Sequence, residues 1–312
     1  MKKIIVLLFL AGGIKLSAQP LQYKIVYNVL EDKAKDNYDI YIMNADGSGQ
    51  KNITNTPGVE WVYYTYKNRI FFISDKDSCH RCYFLYEMDA EGKNWKKLSD
   101  LQLEDSWMGS RGDGKEMIVL GRIGNHTRYQ LFLVNLENGT YQQLTNDTIS
   151  YKADPVFLPG GKEFVFRYRP ERKLRQTVPD ELWISNMEGT NLRQLTYYPK
   201  DDTTAKWFHY HAGPPQWNPR YEFISYLSRQ KGRNQVFAIT ADGKKQWPIT
   251  SGDMHSGWHS WSPDGEWLVM DRAGADEKGY DIYLMEYKTG KIMQLTRDIK
   301  FEQGPVFVEI RN

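Results

Sequence analysis

Apolar and polar positions along this chain alternate in short bursts of period two, which is the signature of half-buried β-strands and not of amphipathic helices. The clearest stretch runs from His255 to Thr296. A Trp-Ser-Pro-Asp-Gly turn (Trp261 to Gly265) leads into the apolar run Trp267–Met270. Alternating Tyr280, Ile282, Tyr283 and Leu284 follow, then Thr289-Gly290, then Ile292 to Thr296. Gly, Pro and Asp punctuation divides the stretch into four short strands, enough for one small antiparallel sheet. The same unit recurs. Its closing pair, Leu or Ile before Thr or Ser, appears at Thr54, Ser99, Thr145, Thr196, Thr250 and Thr296, a spacing of about 45 to 54 residues. Upstream of each pair an apolar strand ends in a Gly turn, at Gly47, Gly92, Gly139, Gly189, Gly243 and Gly290. Six such units predict an all-β chain: a six-bladed β-propeller of four-stranded antiparallel blades.

The first unit lacks its opening strand. The missing piece stands at the far end, as Gly304-Pro305-Val306-Phe307-Val308, with Phe307 at the place of Trp261. A C-terminal strand completing the N-terminal sheet closes the ring and removes the exposed edges an open stack would carry. The repeats leave no length for another domain, so residues 19–312 are expected to form a single propeller. Residues 1–18 read differently. Met1-Lys2-Lys3, the apolar run Ile4–Leu10 and the small residues of Leu16-Ser17-Ala18 have the layout of a cleaved signal peptide. The apolar run is too short for a membrane span in the mature chain. The expected location is the periplasm or the exterior.

Composition narrows the partners. The net charge is only +2 in 312 residues, so nucleic acid is not an expected partner. The two cysteines, Cys79 and Cys82, enclose His80 and Arg81. In an oxidising compartment they are expected to form a short structural disulfide. Arg111-Gly112-Asp113 falls where other units carry their hairpin and reads as a turn. The basic stretch 167–175 reads as a solvated insertion.

The repeats resemble the PD40, or WD40-like, repeats of TolB-type propellers. His259–Gly265 (HSWSPDG) and Asp39–Gly47 (DIYIMNADG) with Ile53-Thr54 carry the likeness, which extends over about residues 22–310. It implies a propeller of the cell envelope that binds a partner. TolB itself has an additional N-terminal α/β domain that this chain lacks. Similar repeats occur in oligogalacturonate lyases, where histidines near the channel hold a cation for β-elimination from acidic sugars.

Candidate chemistry gathers in one window. His209, His211, His255 and His259 lie within about fifty residues, and His211 and His255 each stand six positions before a unit Trp. That register puts them on neighbouring first strands, facing the channel. The four imidazoles are candidate ligands for a divalent metal, with oxygen from Asp154 or Glu104. Apart from this metal, no cofactor is expected. The chain has no Gly-x-Ser-x-Gly elbow, no phosphate-cradling loop and no His-Glu-x-x-His helix. No catalytic residue is therefore assigned. The favoured reading is a non-catalytic binding propeller for an envelope protein or oligosaccharide. Trp61, Trp107, Trp207 and Trp258 are its candidate aromatic anchors, and its ligand is expected at the channel mouth served by His209, His211, His255 and His259, with Trp258 and Asp154 beside it. The alternative is a metal-dependent carbohydrate lyase.

Overall fold

A computed structural model describes residues 23–310 apart from 125–127, 176, 200, 207, 231 and 299. Residues 1–18, expected from the sequence to be a signal peptide, and Trp207 lie outside the described residues. Six antiparallel sheets follow one another around a ring. Blade one joins the last strand, Phe301–Glu309, to Tyr23–Asp32, Asn37–Asn44 and Lys51–Asn52. The closing register sets Ile25 opposite Phe307 and Val26 opposite Val306. Blade two runs from Glu60 to Lys97, blade four from Tyr151 to Gln194, blade five from Gln216 to Pro248 and blade six from His255 to Gln294. Blade three departs from the pattern, because its innermost strand is broken into Gln102–Leu103 and Gly109–Arg111, both paired to Glu116–Arg122.

The repeated residues have a common structural cause. In five blades the closing Thr hydroxyl accepts the backbone N–H of the third strand: Ile40 to Thr54, Leu131 to Thr145, Leu182 to Thr196, Val236 to Thr250 and Ile282 to Thr296, all at 2.8–3.0 Å. In four of these the hydroxyl also donates to the side chain one residue earlier, at Asp39, Gln130, Glu181 or Gln235. An edge donor that would otherwise be left without a partner is thereby satisfied. The Gly of the preceding turn serves the neighbouring blade. A Cβ at Gly47 would lie 2.6 Å from the Leu295 carbonyl oxygen, at Gly92 2.6 Å from that of Ile53, and at Gly139 2.5 Å from that of Leu98. These glycines also have positive φ, so a side chain is excluded both by space and by conformation. In these three blades the turn thus interlocks with the Leu or Ile that precedes the closing Thr or Ser of the blade before it, whereas Gly189 and Gly290 have open space at the Cβ position.

Between blades, large side chains fill the seams. Trp261 packs edge-on against Phe223 at 5.5 Å, and its indole N–H donates to Ser225 at 2.9 Å. Within blade one, Phe307 of the closing strand packs against Tyr23 at 5.9 Å. The Arg111-Gly112-Asp113 segment is a turn with positive φ at Gly112, Asp113 and Gly114, and Arg111 is held by Glu116 and the Gly161 carbonyl.

Candidate functional site

The innermost strands break register near their middles: between Val62 and Tyr64, between Ala153 and Val156, and between Ser256 and His259. Such bulges re-aim side chains. At this level stand Trp61, Trp107, Asp154 and Trp258. The Trp61 ring meets Trp258 edge to face at 5.3 Å and Tyr38 at 5.0 Å. Tyr63 lies 6.2 Å from Trp61 and 5.3 Å from Trp107. The Trp107 backbone N–H donates to Asp154 Oδ1 at 2.9 Å. The chain of contacts therefore crosses from blade six to blade four. Trp258 reaches Trp61 past blade one because that blade offers Gly304, where a Cβ would sit 2.9 Å from Asn28 and 3.6 Å from the Trp61 ring. The indole N–H groups of Trp61 and Trp107 are buried and have no acceptor in the protein.

Charged groups frame this level. Cys79 and Cys82 are joined, closing a loop that holds Arg81 at a φ of 56°. The Arg81 backbone N–H donates to Asp75 at 2.8 Å, and its guanidinium donates twice to Asp36, at 2.6 and 2.8 Å. Arg81 Nη1 is also 3.9 Å from Asp105 Oδ2. Tyr38, Trp61, Arg81, Tyr83, Asp105, Trp258 and Gln303 together line a cavity of about 120 Å³. Asp105 accepts a hydrogen bond from the Tyr63 hydroxyl. Its side chain is 46% exposed, yet the opening it faces is walled by protein. This enclosure, with the negative charges of Asp154 and Asp36, pushes its carboxyl up to about 6.

Asp154 is held from both sides. It takes hydrogen bonds from Ser106 and Trp107 and pairs with Arg167, which also approaches Asp180. Arg169 pairs with Asp180 as well. The basic stretch is therefore not a solvated insertion at its start. Arg167 and Arg169 belong to the strand Glu163–Arg169 and hold buried carboxylates that would otherwise stand unpaired.

The four histidines are not gathered. His211 Nδ1 accepts from the Asp180 backbone N–H and His255 Nδ1 from that of Asn234, both at 3.2 Å. These are matching seams of neighbouring blades. His255 is buried, with Nε2 3.4 Å from Glu277, and burial pushes its imidazole below the usual value. His259 lies sealed between blades five and six, its Nε2 2.8 Å from the Ser225 hydroxyl, and burial pushes it down to about 3. His209 packs on Phe208 at 4.7 Å and accepts from the Lys206 backbone N–H. Each ring is committed to its own blade or seam. Among the described residues, no three His, Cys, Asp or Glu side chains are placed to hold a metal ion. The imidazole set thus does not fit the cation its register suggested. The residues that reading the sequence did not single out are Tyr38, Tyr63, Arg81, Asp105 and Gln303. Only the short Cys-His-Arg-Cys loop carried a signal for one of them.

No family model matches this sequence, and no curated protein matches it. Solved structures do. TolB from Acinetobacter baumannii superposes with a TM-score of 0.70 at 14% identity, covering 91% of this chain and 66% of that one. A putative TolB from Agrobacterium tumefaciens gives 0.61 at 16% identity and covers 91% of both chains. An oligogalacturonate lyase from Vibrio parahaemolyticus gives 0.55 at 14% identity, covering 84% of this chain and 72% of that one. Identities this low establish a shared propeller fold and carry no activity with them.

Proposed function

We propose that this chain is an exported, TolB-like binding propeller of the cell envelope that captures a protein or oligosaccharide partner at the Trp61–Trp258 mouth of its channel. The observation that carries this reading is the mouth itself. Rings of Tyr38, Trp61 and Trp258 stand beside Arg81, Asp105 and Gln303 in one small cavity. Aromatic faces supply contact area at low entropic cost, and the charged pair supplies orientation. The buried, unpaired indole N–H of Trp61 adds a donor for a partner's oxygen. The chain's likeness to TolB structures supports the envelope setting. The apolar run behind Met1-Lys2-Lys3 supports export.

Envelope proteins and a panel of envelope oligosaccharides are the ligands to test, against wild-type protein and Trp258→Ala/Arg81→Ala. At least one ligand should bind the wild type and be lost from the double variant, whose melting temperature stays close to normal because Trp258 is half-buried and Arg81 largely exposed. Equal binding by both proteins overturns the assignment. The N-terminus of the exported protein should be Gln19.

A further inference from the structure

The other end of the channel is wider and differently made. A cavity of about 440 Å³ there is lined by residues from the innermost strands of all six blades, so it lies on the propeller axis. Five blades line it with aromatic residues: Tyr64, Phe157, Trp217, Trp261 and Phe307. The broken inner strand of blade three contributes Gly109 and Ser110 instead, which leaves the space open. Among the described residues, the charged ones on its boundary are Lys67 and Glu309, of opposite sign. Within the wall, Ser260 is 7% exposed and its hydroxyl has no partner in the protein. A buried hydroxyl in that state is destabilising unless something satisfies it. Size and a mainly aromatic lining with a few polar side chains, Ser110, Gln216 and Ser260 among them, are the marks of a small-ligand pocket, for which about 300–1,000 Å³ is usual.

We infer that this second mouth is a separate binding site for a neutral, planar aromatic group carrying one hydrogen-bonding function, with Ser260 as its polar contact. The rings of five blades offer edges and faces to such a group on several sides. Among the described residues, a charged ligand meets only Lys67 and Glu309, whose opposite charges offset one another. The group can belong to a free small molecule or to an aromatic side chain in an extended peptide. Either source presents the same chemistry to the pocket.

The probes are p-cresol for the free molecule and N-acetyl-tyrosinamide for the peptide-borne ring, titrated into the intact exported protein by ligand-observed NMR, with N-acetyl-leucinamide as control. At least one aromatic probe should saturate a single site, with Kd of about 1 mM or tighter for ligands of this size. The leucine control should not bind. Gly109→Leu should remove binding by filling the cavity; a Cβ there meets the Phe157 backbone nitrogen at an ordinary 3.4 Å. Ser260→Ala should weaken binding by about tenfold. Its melting temperature should be unchanged or higher, since the hydroxyl removed has no partner to lose. Trp258→Ala should leave probe binding intact, which separates this site from the opposite mouth. Binding of p-cresol alone assigns the site to free molecules, and binding of the tyrosine probe as well extends it to peptides. No saturable binding, binding that survives Gly109→Leu, or a clear drop in stability on Ser260→Ala overturns the inference.

Discussion

The outer hairpins of the blades and the strands lining the channel follow different rules. At the rim one solution is repeated: a Thr hydroxyl caps the third strand, and a turn Gly seats on the Leu or Ile of the blade before. At the axis the corresponding level carries Trp61, Trp107 and Trp258 in three blades but Asp154 and Gly304 in two others. The difference lies in what each contact must satisfy. Rim contacts engage backbone groups, which every blade has, so one residue type recurs: Thr caps the third strand in five blades, and the turn Gly makes the close approach in three. At the axis six strands fill one common space. A small residue in one blade makes room for a large one in the next, and uniformity there would leave a void or a clash.

The comparison can be broken first at the point where the two systems join. Phe301–Glu309 is both an axial strand and the partner that closes blade one. Deleting residues 301–312 should leave Tyr23–Asp32 with one edge unpaired and expose Ile25 and Val26, giving aggregated or unfolded protein. A soluble truncation with an unchanged melting temperature is the contrary result.

Within the rim, Gly92→Val should be the most costly point change. Its φ of 76° and a Cβ position 2.6 Å from the Ile53 carbonyl oxygen force strain of about 3 kcal/mol or more. Urea denaturation measures it. The same change at Gly290, where a Cβ meets nothing within 4 Å, should cost distinctly less.

The axial seam should show its own pH dependence. Asp271 accepts the Gly304 backbone N–H, and burial pushes its carboxyl up to about 8. Burial also pushes Glu302 up to about 8, reinforced by the nearby charges of Asp298 and Asp281 and opposed by Thr296 and Lys300. In the unfolded chain both titrate near 4. Between about 4 and 8 the folded state therefore holds more protons, so stability falls as pH rises through that window and levels off above it. Asp271→Asn should flatten part of the slope in melting curves recorded from pH 5 to 9, whereas a rim change such as Thr250→Val should not. An unaltered slope in Asp271→Asn contradicts the assignment.

Thr250→Val itself should cost about 1–3 kcal/mol, because the buried Val236 N–H and Gln235 side chain each lose a partner. Smaller still is the effect of reducing Cys79–Cys82. The loop it closes is so short that the loss should fall well below the roughly 3 kcal/mol expected for a fifteen-residue loop.

How much of this was legible in the chain follows from the same contrast. The period of the apolar runs, the Asp-Gly turns and the Leu-Thr endings determined the number of blades and the order of their strands. Phe307 at the Trp261 position identified the closing strand. These signals survive in sequence because each answers a local backbone need: a positive φ, a close approach or an orphan N–H. The tryptophans Trp61, Trp107 and Trp258 were legible as aromatic positions, while Asp154 was expected beside the histidines. That they form one continuous arc past Gly304 was not. The histidines mark the limit. Their spacing placed His211 and His255 in matching register, but register along a strand does not decide which way a ring turns. His259 faces a sealed seam because Ser225 and Trp261 from two blades meet there. Arg81 and Asp105, twenty-four positions apart in the chain, become neighbours at the mouth only when blades two and three pack side by side. Backbone geometry repeats, and so it is written into the sequence six times. Which side chains share the axis is decided only by closing the ring, because each axial position is filled against the other five.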